Sequence, residues 1–141
     1  MKLVEYTRYP ELVGKFEAVL AHAMWEPTKE KVARVINEVY ARDETALYGL
    51  IYEDDVFGVI GIRWLSDEEA ELLHIAVDEH SRRRGLGRRM LNEVLAKERV
   101  QTLVAETDRD AVGFYQKCGF AVEPLGEKYP GVERFRCTLR T

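Results

Sequence analysis

No stretch of the chain is apolar for the roughly 18 residues that a membrane-spanning helix needs. The opening twelve residues, MKLVEYTRYPEL, carry charges where an export signal needs an unbroken apolar core. A cytoplasmic protein with no membrane partner is therefore predicted. Cysteine is scarce: Cys118 and Cys137 are the only two. That excludes a disulfide framework and a thiolate metal site, so no metal is expected and a reducing compartment fits. Repeats, low-complexity tracts and Pro/Gly/Ser-rich linkers are missing too, which leaves nothing to divide the chain. Positive charge is in deficit, with 21 Lys and Arg against 25 Asp and Glu and a net charge of −4. A nucleic-acid partner is not expected from such a balance.

What is present is ordinary for a folded domain: 141 residues, 46% hydrophobic and 33% charged. One domain covering residues 1–141 is predicted, with enough chain for a real core. The charge is unevenly placed. Residues 82–89 read RRRGLGRR, five arginines in eight positions, so the remainder of the chain carries −9.

Periodicity supplies the element order. Residues 2–7 alternate weakly as a short strand. From Pro10, the positions Leu12, Phe16, Val19, Leu20 and Ala23 mark one face of a helix. A second helix starts at Thr28 as N-cap, with the stripe Val32, Val35, Ile36, Val39 and Tyr40. Residues 46–52, 56–65 and 70–77 read as three strands joined by short connections. Such strands must be antiparallel, because a parallel return needs a crossover of about a dozen residues. Leu86, Met90, Leu91, Val94 and Leu95 recur at helical spacing, followed by a strand at 100–105 and a helix from Asp108 to Lys117 closed by Gly119. Phe120–Glu123 and Val132–Leu139 read as two last strands around a Pro/Gly loop. The order β-α-α-β-β-β-α-β-α-β-β predicts an α+β, or mixed-sheet α/β, domain.

The arginine cluster lies between a strand and a helix. Unpaired N–H groups at a helix start suit anions, and Gly85 and Gly87 let a ligand approach the backbone. Arginines there oppose the helix dipole by roughly 0.3–1 kcal/mol each unless an anion is bound. A polyphosphate site is the reading that explains them, against a merely solvated basic turn. The P-loop pattern is missing, and a dinucleotide fingerprint would put Met90 where its third glycine belongs.

The segment Arg82-Arg83-Arg84-Gly85-Leu86-Gly87, preceded by Ile75-Ala76-Val77, resembles the Arg-x-x-Gly-x-Gly motif of the GNAT superfamily of N-acetyltransferases. A second segment agrees. Asp108-x-x-Ala111-x-x-Phe114-Tyr115-x-Lys117-x-Gly119-Phe120 is similar to that family's Asn-x-x-Ala-x-x-Phe-Tyr-x-Lys-x-Gly-Phe, with Asp in place of Asn. The resemblance implies a GNAT-like fold, with a strongly twisted mixed sheet splayed between its fourth and fifth strands. It also implies acetyl-CoA as acetyl donor and direct transfer to a primary amine in a ternary complex.

By the same resemblance, the pyrophosphate would rest on the amides of residues 82–87, with Arg82, Arg83 and Arg88 as charge partners. The pantetheine arm would run along Ile75, Ala76 and Val77, whose N–H groups would polarise the thioester carbonyl. Asp108 and Phe114 would lie near the cofactor, and Asp108 would also serve as an N-cap. Tyr115 matches the family's general acid; a phenol of ordinary pKa near 10 is protonated at neutral pH and can protonate a departing thiolate.

Glu71 matches the fourth-strand glutamate that some members use as base. A carboxylate near 4.3 taking a proton from an ammonium near 10.4 works uphill by about 6 pKa units, roughly 8 kcal/mol. It would need a raised pKa, a water relay or a partly neutral amine, and His74 or water alone stays open as an alternative. Alternation puts Glu71 on one face with Leu73, Ile75 and Val77, and Leu72, His74 and Ala76 on the other. Trp25, Tyr40, Tyr48 and Trp64 are candidates for core or acceptor pocket alike. The acceptor, a small molecule or a peptide or protein amine, is not specified, though the acidic remainder favours a cation. Dimers are common in the family, which leaves a homodimer open. The competing reading is a non-catalytic acyl-CoA sensor or interaction module on the same fold.

Overall fold

A computed structural model describes every residue from Met1 to Thr141. Seven strands form one sheet: β1 (Lys2–Glu5), β2 (Thr45–Tyr52), β3 (Asp55–Trp64), β4 (Glu69–Val77), β5 (Thr102–Asp108), β6 (Ala121–Tyr129) and β7 (Val132–Arg140). Their spatial order is β1-β2-β3-β4-β5-β7-β6. The helices are α1 (Val13–Leu20), α2 (Lys29–Arg34), α3 (Leu86–Glu98) and α4 (Val112–Lys117). The α+β order read from periodicity is the order observed.

Apolar side chains pack on both sheet faces. Phe16, Leu20 and Val32 of α1 and α2 cover one face with Leu47 and Val59. Met90, Leu91 and Val94 of α3 cover the other with Leu50, Ile60, Ile62 and Leu103. Val59 and Ile60 are neighbours in sequence and enter different cores, as strand alternation requires. Each fully buried large apolar side chain here contributes about 1.5–3 kcal/mol relative to exposure.

Element ends differ from the periodicity reading in three informative places. Helix α4 begins at Val112, not Asp108, because β5 runs on to Asp108, where it pairs with Arg134 of β7. Strand β6 continues past Glu123 to Tyr129, so the Pro/Gly loop shrinks to a turn at Pro130–Gly131. Pro124 is tolerated because β6 is an edge strand and the register shifts beside it. Helix α2 has the expected cap, Thr28 Oγ1 accepting the Lys31 N–H at 3.1 Å, but widens into a π-helical turn over Val35–Val39. No helix is long and apolar enough to cross a membrane.

All neighbouring strands are antiparallel except β4 and β5. That parallel pair is short: Glu69, Ala70 and Glu71 face Thr102, Leu103 and Val104, and beyond Glu71 the strands diverge.

Candidate active site

The divergence opens a cavity of about 920 Å³. Leu73 to Val77 of β4 form one wall and Glu106 to Asp108 of β5 the other. Residues 74–77 therefore keep a strand partner only on the β3 side, leaving β-edge backbone groups toward the gap.

The arginine–glycine turn closes one end. A 3₁₀ turn over Glu79–Ser81 follows β4, with Asp78 accepting the His80 N–H at 3.2 Å. Arg83 and Gly85 then take left-handed φ of 65° and 72°, and Gly85 caps α3. A glycine suits that conformation because it has no Cβ to strain. Leu86 is buried in the core and so anchors the turn. Gly87 faces the cavity together with Arg82, whose Nε donates to the Val77 carbonyl at 3.3 Å.

The five arginines divide by partner. Arg82 lines the cavity, while Arg83 and Arg84 are exposed on the turn. Arg88 donates to the carbonyl of Lys117, tying α3 to the end of α4. Arg89 reaches Glu93 at 3.1 Å and the Met1 carbonyl at 2.8 Å. The first turn of α3 carries no acidic residue to balance this positive charge.

Asp108, Phe114 and Tyr115 all line the same cavity. Asp108 Oδ1 accepts the Ala111 N–H at 3.0 Å, bridging the turn from β5 into α4. A Cβ on Gly87 would stand 3.1 Å from Phe114 Cε1, so the two sequence motifs meet side by side. Tyr115 is held edge-on between Phe114 and Phe120, with ring centroids 5.2 Å away on each side. Burial pushes the Tyr115 phenol up to about 12, which keeps it protonated.

Glu71 stands elsewhere. Its carboxylate pairs with the Arg63 guanidinium directly across the ladder, and it does not line the cavity. His74 does line it. The alternation expected for β4 fails at this point, because Gly61 pairs with His74 while Ile62 pairs with Leu72. Leu73 is the extra residue of a β-bulge, and one inserted residue reverses the facing of everything beyond it. Leu72, Ile75 and Val77 accordingly pack on the α3 face, and Leu73 and Ala76 on the α1 face. His74 lies on the α1 face with Glu71, not opposite to it. There Tyr40 Oη meets His74 Nδ1 at 2.5 Å, and burial lowers the His74 pKa.

Trp25 is 83% exposed at the cavity rim, whereas Tyr48 is core and bonded to Glu98, and Trp64 packs on the core edge. Both cysteine thiols are pushed up by burial, which suits small core residues and not nucleophiles. Sequence reading passed over Arg134 and Asp110 as site residues, although both line the cavity. Arg134 arrives through the β5–β7 register, and no local pattern announces such a long-range pairing.

A family model for the acetyltransferase (GNAT) family matches residues 11–120. No curated protein matches the sequence. Among solved structures, an acetyltransferase of the GNAT family from Desulfovibrio desulfuricans is 22% identical, with a TM-score of 0.77, over 99% of this chain and 98% of its own. An aminoglycoside 6'-N-acetyltransferase complexed with coenzyme A is 17% identical, again with a TM-score of 0.77, over 99% and 97%. A GNAT family acetyltransferase from Elizabethkingia anophelis with acetyl-CoA bound is 23% identical, with a TM-score of 0.62, over 88% and 89%. These likenesses are likenesses of fold.

Proposed function

The chain belongs to the acetyltransferase (GNAT) family, and from that premise we propose that it transfers acetyl from acetyl-CoA directly to a primary amine in a ternary complex. The observation that carries the reading is the gap between β4 and β5, closed by the arginine–glycine turn and holding Tyr115 on its wall. Solved relatives of this fold hold coenzyme A or acetyl-CoA. The residues present fit such a ligand. Gly87 leaves open a space that a Cβ would fill, and unpaired β4 backbone faces the gap.

When bound, acetyl-CoA supplies the acetyl group as an activated thioester. Amides of residues 82–87, with Arg82 beside them and the exposed Arg83 and Arg84, hold the pyrophosphate. Backbone groups of Ile75, Ala76 and Val77 align the pantetheine arm as a further strand, and an N–H among them polarises the carbonyl. Phe114 packs against the cofactor, and Asp108 keeps its place through its bond to Ala111. Tyr115 would give its phenolic proton to the leaving sulfur, so the thiol departs neutral. The phenolate would recover a proton through water from the nitrogen, which sheds its second proton as the amide forms.

The amine must lose one proton to become a nucleophile. Glu71, tied to Arg63 and set back from the cavity, acts through a water relay. Glu106 is paired with Arg134 at 3.8 Å, which leaves Asp108 and Asp110 as the carboxylates on the cavity wall that favour a cationic acceptor. The test is a thiol-release assay with acetyl-CoA and a panel of primary amines, with amide formation checked by mass spectrometry. Acetyl-CoA binding without thiol release from any amine would instead support an acyl-CoA sensor. The placement of Glu71 outside the cavity is the observation on that side.

A further inference from the structure

His74 and Tyr40 form a pair that the transfer scheme leaves unused. They come from different layers, β4 and the end of α2, 34 residues apart, and meet at 2.5 Å through Oη and Nδ1. Two features of the fold make room for the meeting. The Leu73 bulge turns His74 toward α2. Gly61, its partner on β3, lacks the Cβ that would stand 1.8 Å from Tyr40 Oη.

The chemistry of the contact fixes where the imidazole proton sits. Tyr40 is buried, and Nδ1 of His74 is the partner its hydroxyl has. A phenol has one proton to give, and burial keeps it on the oxygen. If Nδ1 also carried a proton, one of the two buried donors would lack an acceptor. Nδ1 therefore accepts, and the proton of the neutral ring is on Nε2. Burial disfavours the doubly protonated ring as well.

We propose that His74, held by Tyr40, presents Nε2–H to the cavity as a fixed hydrogen-bond donor that selects acceptor amines bearing an oxygen next to the amine-bearing carbon. This rests on the acetyl-transfer reading of the same cavity. A nitrogen that already carries a proton cannot take one from an ammonium, so His74 in this tautomer is not the base. It also cannot pair with an ammonium, since both would be donors. What it can pair with is an oxygen acceptor close by, and His74 precedes Ile75 on the wall along which the acetyl donor is held. An α-amino carbonyl compound carries such an oxygen beside its nitrogen, and a plain alkylamine has none to offer. Tyr40 is the positioning residue that sets the tautomer.

Two measurements test this. The first is the nitrogen chemical shifts of His74 in the ¹⁵N-labelled full chain at neutral pH, without ligand. The Nε2–H pattern is expected in the wild type, with a mixture of both tautomers in Tyr40→Phe. An Nδ1–H or doubly protonated wild-type ring would overturn the proposal. The second is kcat/KM for alaninamide against propylamine. His74→Ala is expected to lower that ratio about tenfold, the order of one lost hydrogen bond. His74→Gln, whose amide keeps a donor near the Nε2 position, should restore most of it. Equal loss of kcat on both amines in Gln and Ala alike would make His74 a base and defeat the idea. If the wild type acetylates neither amine while others of the panel release thiol, the selection falls and the transfer reading stands. Thiol release from no amine at all defeats the transfer reading, and the nitrogen shifts still decide the tautomer.

Discussion

Gly87, at the start of α3, lies against the ring of Phe114, in α4: a Cβ there would come within 3.1 Å of Phe114 Cε1. Residues from two motifs far apart along the chain thus form one corner of one cavity. A side chain at 87 must either push the phenylalanine or enter the cavity. We expect Gly87→Leu to weaken acetyl-CoA binding at least about tenfold, about 1.4 kcal/mol. Calorimetric titration reads the affinity, and circular dichroism verifies that the fold is retained.

Tyr115→Phe keeps the ring between Phe114 and Phe120 and removes only the hydroxyl. A general acid contributes about 10²- to 10⁴-fold, so kcat should fall in that range while acetyl-CoA affinity stays within about twofold. A parallel loss of affinity and no loss of kcat would make Tyr115 a packing residue.

Glu71→Gln separates two roles of one carboxylate. Its pair with Arg63 is partly exposed, with side-chain exposures of 28% and 42%, so its loss should cost under about 1 kcal/mol in denaturation. As the relay partner in proton removal, Glu71 matters most where the amine is charged. The kcat defect of Glu71→Gln should be large at pH 7 and shrink toward pH 9.5, as amines near pKa 10.4 begin to arrive neutral. A kcat equal to that of the wild type at pH 7 would remove Glu71 from the mechanism.

Buried groups give the stability profile opposite edges, His74 the acidic one and Tyr115, together with Tyr40 and Tyr48, the alkaline one. The folded-state pKa of His74 is lowered, so the unfolded chain takes up the proton first. Its contribution is complete above about pH 6.5 and is lost as pH falls. The folded-state pKa of Tyr115 is raised to about 12, so its contribution is complete below about pH 10 and is lost between 10 and 12. Urea midpoints should fall less on acidification in His74→Gln, and less on alkalinisation in Tyr115→Phe, than in the wild type.

Much of this architecture can be read from short-range patterns. Helical stripes such as Val32, Val35 and Ile36 depend on local spacing, and so does the Thr28 cap. The arginine–glycine turn was legible for the same reason, since consecutive residues build it. The Leu73 bulge was not. It has no glycine or proline to mark it and exists only because β3 and β4 pair out of step. Its consequence, the Tyr40–His74 pair, joins residues that no window contains together. Arg134 entered the cavity through strand pairing across β5 and β7, another relationship beyond local reach. Motif matching located Glu71 correctly in β4, yet only the neighbouring Arg63 reveals what that carboxylate holds.

The three-residue contact between β4 and β5 gives the molecule a mechanical seam. The sheet is a wishbone whose prongs, β1–β4 and β5–β7, meet at one narrow crotch. Any ligand that lies along the prongs acts as a rivet, and at a hundredfold excess over its Kd it adds about 2.7 kcal/mol to folding stability. The resilience of the protein is then coupled to its own cosubstrate supply.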